Sequence, residues 1–316
     1  MILRCLFALW CFLLVDGATA NECEVSLVVL GAGQDAGAPQ IGNPADPGWQ
    51  DPELRLTATA LALVDHENDK RYLFEATPHL TAQLQRLDSM APSAAPGLGI
   101  DGIFITHAHI GHYAGLMFLG REAAGAREVP VWVMPRLANY LRRNGPWSQL
   151  VALENIQITE LAQGTTKTLA GGITVTPQLV PHRDEFSETV AFVVRTNGQS
   201  FLFVPDIDSW DTWEEDYDTA LEDVIASVDY AFLDATFFDD NELPGRDMSK
   251  IPHPRVAATM QRLQHLPDAA RSRVHFIHYN HSNPIRDPAS AATQHVLDRG
   301  FSIAREGDQL CLAVQN

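Results

Sequence analysis

Short apolar runs bounded by turn-forming residues recur along the chain and predict strands. The run at 25–30, broken only by Ser26, has the continuity of a strand covered on both faces. Positions 100–105 carry charge only at Asp101 and read the same way. Further strands are expected over 57–64, 71–75, 129–134, 156–161, 173–180, 189–196, 200–204, 230–234 and 274–277, with closing strands near the C-terminus. Asn197-Gly198, between two of these, is a hairpin signal. Helices are predicted over 77–90, 113–121, 135–144, 210–226, 256–266 and 289–297, Pro78 suiting the first turn of the first. Gly31 to Pro39, 43–52 and 92–99 read as loops. This mixture predicts an α/β (α+β) protein with helices packed outside a two-sheet core. No repeat or linker is visible, so residues 21–316 read as one domain.

The N-terminus falls outside that pattern. Arg4 precedes an apolar run at 5–15 and the small-residue sequence Ala18-Thr19-Ala20, the arrangement of a secretory signal peptide over residues 1–20. The run is too short to span a bilayer comfortably. Cleavage after Ala20 predicts a periplasmic or secreted protein with no membrane attachment. Two cysteines then remain, Cys23 and Cys311, in strand-like segments at opposite ends of the chain. An oxidising compartment permits a disulfide between them; two separate buried thiols are the other reading. The net charge of -18 would repel a polyanion, and no basic patch with interleaved aromatic residues appears. Nucleic acid is therefore a poor candidate partner; the acidity says little about the substrate, which is expected to be a small molecule, and oligomeric state is not legible. The glycine-rich stretch after the first strand lacks the dinucleotide and P-loop patterns. It reads as a loop approaching an active centre, with Gln34 or Asp35 pointing in.

The densest chemistry lies in Thr106-His107-Ala-His109-Ile-Gly111-His112, directly after the run at 100–105. In an extended segment residues two apart point the same way, so His107 and His109 converge, while His112 faces a second point nearby. Neutral imidazole is the commonest protein ligand for zinc and its neighbours. His182, Asp206 and His278 also fall at the ends of predicted strands, where a rigid scaffold presents side chains to one place. His253 stands between Pro252 and Pro254, where the residues alone read as the entry to a helix. Trp210, Trp213 and Phe237-Phe238 line a pocket or fill the core.

The motif T-H-A-H-I-G-H resembles the H-x-H-x-D-H signature of the metallo-β-lactamase superfamily, with His182, Asp206 and His278 in the order in which that superfamily supplies its other ligands. The segments Phe74-Glu-Ala-Thr-Pro78, His112-Tyr-Ala-Gly-Leu116, Gly120-Arg-Glu122 and His278 to Pro284 are similar to the pyrroloquinoline-quinone biosynthesis protein B family. Asp234-Ala-Thr-Phe237 and His253 are similar to ribonuclease Z and its phosphodiesterase kin.

The resemblance implies an αββα sandwich of two mixed sheets flanked by helices. It implies a first metal position at His107, His109 and His182, and a second at His112 and His278, with Asp206 bridging. Gly111 stands where the family has its aspartate, so the second position is expected to be weakened unless a nearby carboxylate such as Asp208 or Asp35 substitutes. Zinc is the expected ion, with iron or manganese also compatible. The function implied is a secreted hydrolase using metal-bound hydroxide on an ester, lactone, amide or phosphodiester. Asp206 would hold the nucleophile, and His253 would protonate the leaving group or clamp an anionic oxygen. An iron-dependent oxygenase and a non-catalytic metal-binding protein are the alternatives.

Overall fold

The computed structural model describes residues 23–183 and 185–314. The expected signal peptide lies outside them. The strands, in chain order, are β1 (Cys23–Gly31), β2 (Ala60–Asp65), β3 (Lys70–Phe74), β4 (Gly102–Phe104), β5 (Val129–Val133), β6 (Ile156–Glu160), β7 (Lys167–Thr168), β8 (Thr174–Leu179), β9 (Val190–Arg195), β10 (Ser200–Val204), β11 (Tyr230–Asp234), β12 (Val274–Ile277), β13 (Ser302–Ile303) and β14 (Gln309–Val314). They form two seven-stranded sheets, ordered β14-β1-β2-β3-β4-β5-β6 and β13-β12-β11-β10-β9-β8-β7.

Each sheet is antiparallel in one half and parallel in the other. In the first, β14, β1, β2 and β3 pair antiparallel and β3 to β6 pair parallel. In the second, β7 to β10 pair antiparallel and β10 to β13 pair parallel. Two antiparallel steps restore the original direction, so β1, β3 and β4 run the same way, as do β8, β10, β11 and β12. The C-terminal ends of all seven therefore come to shared sheet edges.

Strand β1 shows why its sequence reads as a near-continuous apolar run. Val25, Leu27 and Val29 pack between the sheets with Phe74, Phe104, Phe192, Phe201 and Phe203. Val28 and Leu30 face the other way, into a second core under helices. Both faces are covered, so the period-2 alternation of a half-exposed strand is absent. Between the sheets, Phe74 stacks on Phe104 with centroids 5.2 Å apart and meets Phe192 at 5.7 Å and Phe201 at 5.6 Å.

The helices are α1 (Leu80–Met90), α2 (Ile110–Tyr113), α3 (Pro135–Arg143), α4 (Trp147–Ala152), α5 (Trp210–Tyr217), α6 (Leu221–Ala226), α7 (Val256–Arg262), α8 (Asp268–Arg271) and α9 (Ala291–Asp298). Leu80 and Leu87 of α1 and Leu137 and Leu141 of α3 cover the first sheet. Trp213, Leu221, Val256 and Val296, from α5, α6, α7 and α9, are buried with the residues of the second. This is the αββα sandwich. Among the described residues no helix is long and apolar enough to cross a membrane. Cys23 and Cys311 form a disulfide, their Cα atoms 5.7 Å apart, across the paired edge of β1 and β14.

Helix α7 ends four residues short of expectation, α9 is offset by one or two, and α4 and α8 are not expected from the sequence; three other departures have a clear local cause. The first helix begins at Leu80, because Thr77 Oγ1 accepts from the His79 amide and donates to Gln83, which holds 77–79 as a turn. The acidic segment at 210–226 splits where Asp218 adopts a left-handed φ of 52°. The stretch after His112 tightens into a 3-10 helix, Ala114–Leu119, where the Gly115 amide donates to Ala76 O at 2.8 Å.

Candidate metal centre

The strand ends deliver their polar residues to one place. Beyond β4 come His107, His109 and His112; beyond β8, His182; beyond β10, Asp206 and Asp208; beyond β12, His278. His107 Nε2 lies 2.8 Å from His109 Nδ1, and His182 Nε2 lies 3.2 Å from that same atom. Three ring nitrogens from two sheets thus converge. Asp206 sits between this trio and a second group. Its Oδ2 is 3.8 Å from His107 Nε2, 2.9 Å from His112 Nε2 and 3.2 Å from His278 Nε2, and its Oδ1 is 3.8 Å from His182 Nε2. Every histidine and the aspartate expected at the site from sequence are brought together.

The far side of each ring is held. His107 Nδ1 is 2.9 Å from Thr106 Oγ1, His182 Nδ1 is 2.8 Å from Asp208, and His278 Nδ1 is 3.1 Å from Thr236 Oγ1. His112 Nδ1 lies 3.2 Å from Glu75, which is fully buried and accepts from the Thr106 hydroxyl at 2.6 Å. His109 is turned the other way, Nδ1 inward and Nε2 3.4 Å from Glu185. An imidazole anchored through one nitrogen presents the other as a lone pair. His112 Nε2, His278 Nε2 and Asp206 Oδ2 are buried and crowd together at 2.9 and 3.2 Å, but none of them makes a hydrogen bond of acceptable geometry. Orphaned donors and acceptors of this kind are costly unless something else satisfies them. A cation held by these atoms does so, and the donor set of imidazole and carboxylate suits zinc and its neighbours.

The electrostatics are consistent with that fit. Burial, with repulsion from neighbouring imidazoles, pushes His107 well below the usual histidine range and lowers His109. Burial likewise lowers His278. These shifts favour the neutral ring, the form that binds a metal. Asp206 is held well below the carboxylate range: burial opposes ionisation, but His278 and His112 outweigh it. Asp35 is lowered in the same way, by His112 against the effect of burial. His112 is raised despite burial, because Glu75, Asp206 and Asp35 surround it.

His253 stands at the rim of the same cluster, buried, with Nδ1 2.7 Å from Asp234 and 3.7 Å from Asp206. It also lines a pocket of about 350 Å³ with Asp208, Ser209 and Trp210. Burial pulls its pKa down, but Asp234 and then Asp206 outweigh it and lift it to about 9. The backbone is strained here. Glu75, His253 and His278 have φ of 81°, 90° and 65°, a region that side-chain-bearing residues avoid. Such strain persists only where surrounding structure enforces it, and it gathers at functional sites.

Residues 70–279 match the family described as the beta-lactamase superfamily domain. The chain belongs to the metallo-β-lactamase superfamily. Coenzyme PQQ synthesis protein B of Pseudomonas protegens is 25% identical over 311 residues, covering 88% of this chain and 97% of that protein. Among solved structures, Zn(2+)-bound PqqB from Methylobacterium extorquens aligns with a TM-score of 0.73 at 20% identity, over 90% of this chain and 99% of that one. A diphosphatase of the PhnP family aligns with a TM-score of 0.61 at 19% identity, over 90% and 96%. At these identities the structural likenesses establish the metallo-β-lactamase fold.

Several residues of this superfamily member escape a sequence reading. Glu75 and Asp234 follow apolar runs just as the histidines do, so the strand-end rule that found His182 would also have found them. Asp208 is bonded to His182 Nδ1, which makes it a support for that ring rather than a replacement for the aspartate missing at Gly111. Trp210 and Trp213 are buried in the core, although Trp210 also contributes to the wall of the pocket beside His253. Phe237 is buried, its ring 6.2 Å from that of His253.

Proposed function

We propose that this protein is an exported, metal-dependent hydrolase of small molecules, with a phosphodiester or a comparable ester as the bond broken. The observation that carries the reading is the convergence of His107, His109 and His182 on one point, with the His253–Asp234 pair across Asp206. His107, His109 and His182, together with Asp206, would hold the ion. Such an ion lowers the pKa of water toward ~7 and polarises the oxygen of the bond to be broken.

The chain's own groups supply the rest. Asp206, ionised and reaching His112 and His278, accepts a hydrogen bond from the attacking water and orients it. Asp234 holds His253 in its protonated form at neutral pH, so His253 donates a proton to the leaving oxygen or clamps an anionic one. The PhnP-family neighbour, described as a diphosphatase, supports phosphate-ester chemistry by fold alone. Export is supported by the leader-like sequence at 1–20 and by the disulfide, a bond of oxidising compartments.

A second reading, a biosynthetic role with oxidative iron chemistry, draws on the length-spanning match to coenzyme PQQ synthesis protein B. The two are separated by metal analysis of the purified chain, oxygen uptake, and turnover of bis-p-nitrophenyl phosphate, aryl esters and lactones. The hydrolase reading expects zinc or manganese, no oxygen uptake, and hydrolysis lost on chelation and in His107→Ala. Expected for His253→Ala is a fall in kcat of about 10²- to 10⁴-fold with metal content kept. Iron with oxygen uptake and no hydrolysis would establish the biosynthetic reading instead.

A further inference from the structure

Gly111 removes a carboxylate from the expected second metal position, and the structure shows what stands in its place. A Cβ built on Gly111 would lie 2.4 Å from Asp35 Cα, 2.6 Å from Asp35 Oδ1 and 3.0 Å from Asp35 O. No side chain fits at 111 while the loop after β1 is in place, and the atom nearest the vacated volume on the side-chain side is itself a carboxylate oxygen. Asp35 Oδ1 is 3.6 Å from His112 Nε2. Ligand atoms of Asp35, His112 and His278 all lie within 4.8 Å of one another. The two imidazole atoms in that group, His112 Nε2 and His278 Nε2, are buried and make no hydrogen bond of acceptable geometry.

We infer that Asp35, delivered from the loop after β1, replaces the missing aspartate as a carboxylate ligand of a second cation held with His112, His278 and Asp206. This inference rests on the proposed metal centre and deepens it. Asp35 completes a group with His112 and His278, and Asp206 Oδ2 lies 2.9 and 3.2 Å from the two rings, so the second position keeps a carboxylate in place of the one that Gly111 lacks.

The loop is built to place Asp35. Gly33 bridges to both Ala58 and Tyr279, and the Gln34 amide donates to Tyr279 O at 3.0 Å, which fastens the loop to the residue following His278. The Gly37 amide closes a turn onto Gln34 O at 2.7 Å. Asp35 itself takes a positive φ of 34°. Its side chain is 36% exposed, so it faces the ligand cluster from the solvent side rather than from within the sheets.

The test compares zinc binding to the full mature chain and to Asp35→Asn, by metal stoichiometry after dialysis and by titration against a chelator. Asparagine tolerates positive φ, so this variant keeps the loop conformation while removing the charge; circular dichroism and retention of the first equivalent verify its fold. Loss of a supporting outer partner already costs about 10- to 100-fold in metal affinity. The expected result is two equivalents bound by the wild type, and in Asp35→Asn an unchanged first equivalent with the second weakened by at least about tenfold. Asp35→Ala and His278→Ala are expected to lose the same equivalent. A second equivalent of wild-type affinity in Asp35→Asn and Asp35→Ala would overturn the role of Asp35 and leave the first metal position intact, as would a wild type that binds only one equivalent. A wild type that binds no transition metal would overturn the metal centre itself.

Discussion

Asp208 Oδ1 stands 2.8 Å from His182 Nδ1, and its side chain is one-third exposed. It fixes which nitrogen of His182 carries the proton and so which one faces the cluster. Asp208→Ala is expected to weaken zinc binding by about 10- to 100-fold, with Asp208→Asn, which keeps an acceptor oxygen, falling less. A chelator competition run on the three proteins checks both the direction and the order. If Asp208→Ala binds zinc as tightly as the wild type, His182 is oriented by something else. The histidines themselves are legible in the sequence, because two of them are two residues apart after an apolar run. Their partners are not. Glu75 and His112 are 37 positions apart and meet only because β3 and β4 are neighbours in parallel register. Asp35 is legible only as a loop residue pointing toward the centre; that it fills the space left by Gly111 follows from the contact between them, which no sequence pattern carries.

Strand β4 leads directly into the segment of the three motif histidines, and its seat depends on Gly102. A Cβ there would lie 2.0 Å from the ring of Trp132 on β5, whose indole stacks on Phe104 with centroids 4.5 Å apart. Gly102→Ala must push Trp132 off Phe104 or move β4, and overpacking of this kind costs about 1–3 kcal/mol. Urea unfolding is expected to show that loss, with zinc affinity reduced alongside because His107 and His109 move with the strand. A variant as stable as the wild type would mean that Trp132 repacks freely. At this scale the sequence speaks clearly where both faces of a strand are buried: 200–204, 230–234 and 274–277 are expected and observed with the same limits. It is less clear where a tertiary bond decides the backbone. The hydrogen bond from the Gly115 amide to Ala76 O tightens the segment after His112, and nothing local in 113–121 announces it.

At the scale of the molecule, the site depends on the ligand-bearing strands of each sheet ending at one edge of that sheet, and the antiparallel and parallel pairings within each sheet secure that. The apolar runs predict two sheets; the order of strands within them does not follow from periodicity, because a strand buried on both faces has no face that marks its neighbour. The chain ends add a restraint to this arrangement. Cys23 in β1 and Cys311 in β14 are 288 residues apart, and their disulfide ties the first sheet's edge shut around most of the chain. Cross-linking so long a loop restricts the unfolded ensemble, an effect of about 2–4 kcal/mol in favourable cases. The double variant Cys23→Ser/Cys311→Ser is therefore expected to unfold at lower urea concentration, with stability reduced by about that amount and the stoichiometry of bound zinc unchanged, since the disulfide lies on the β1–β14 edge and shares no residue with the ligand cluster. Thiol titration of the unfolded wild-type chain of residues 21–316 should find no free sulfhydryl. Two free sulfhydryls in protein recovered from an oxidising compartment would mean that the bond does not form there, and the support it lends to export would go with it.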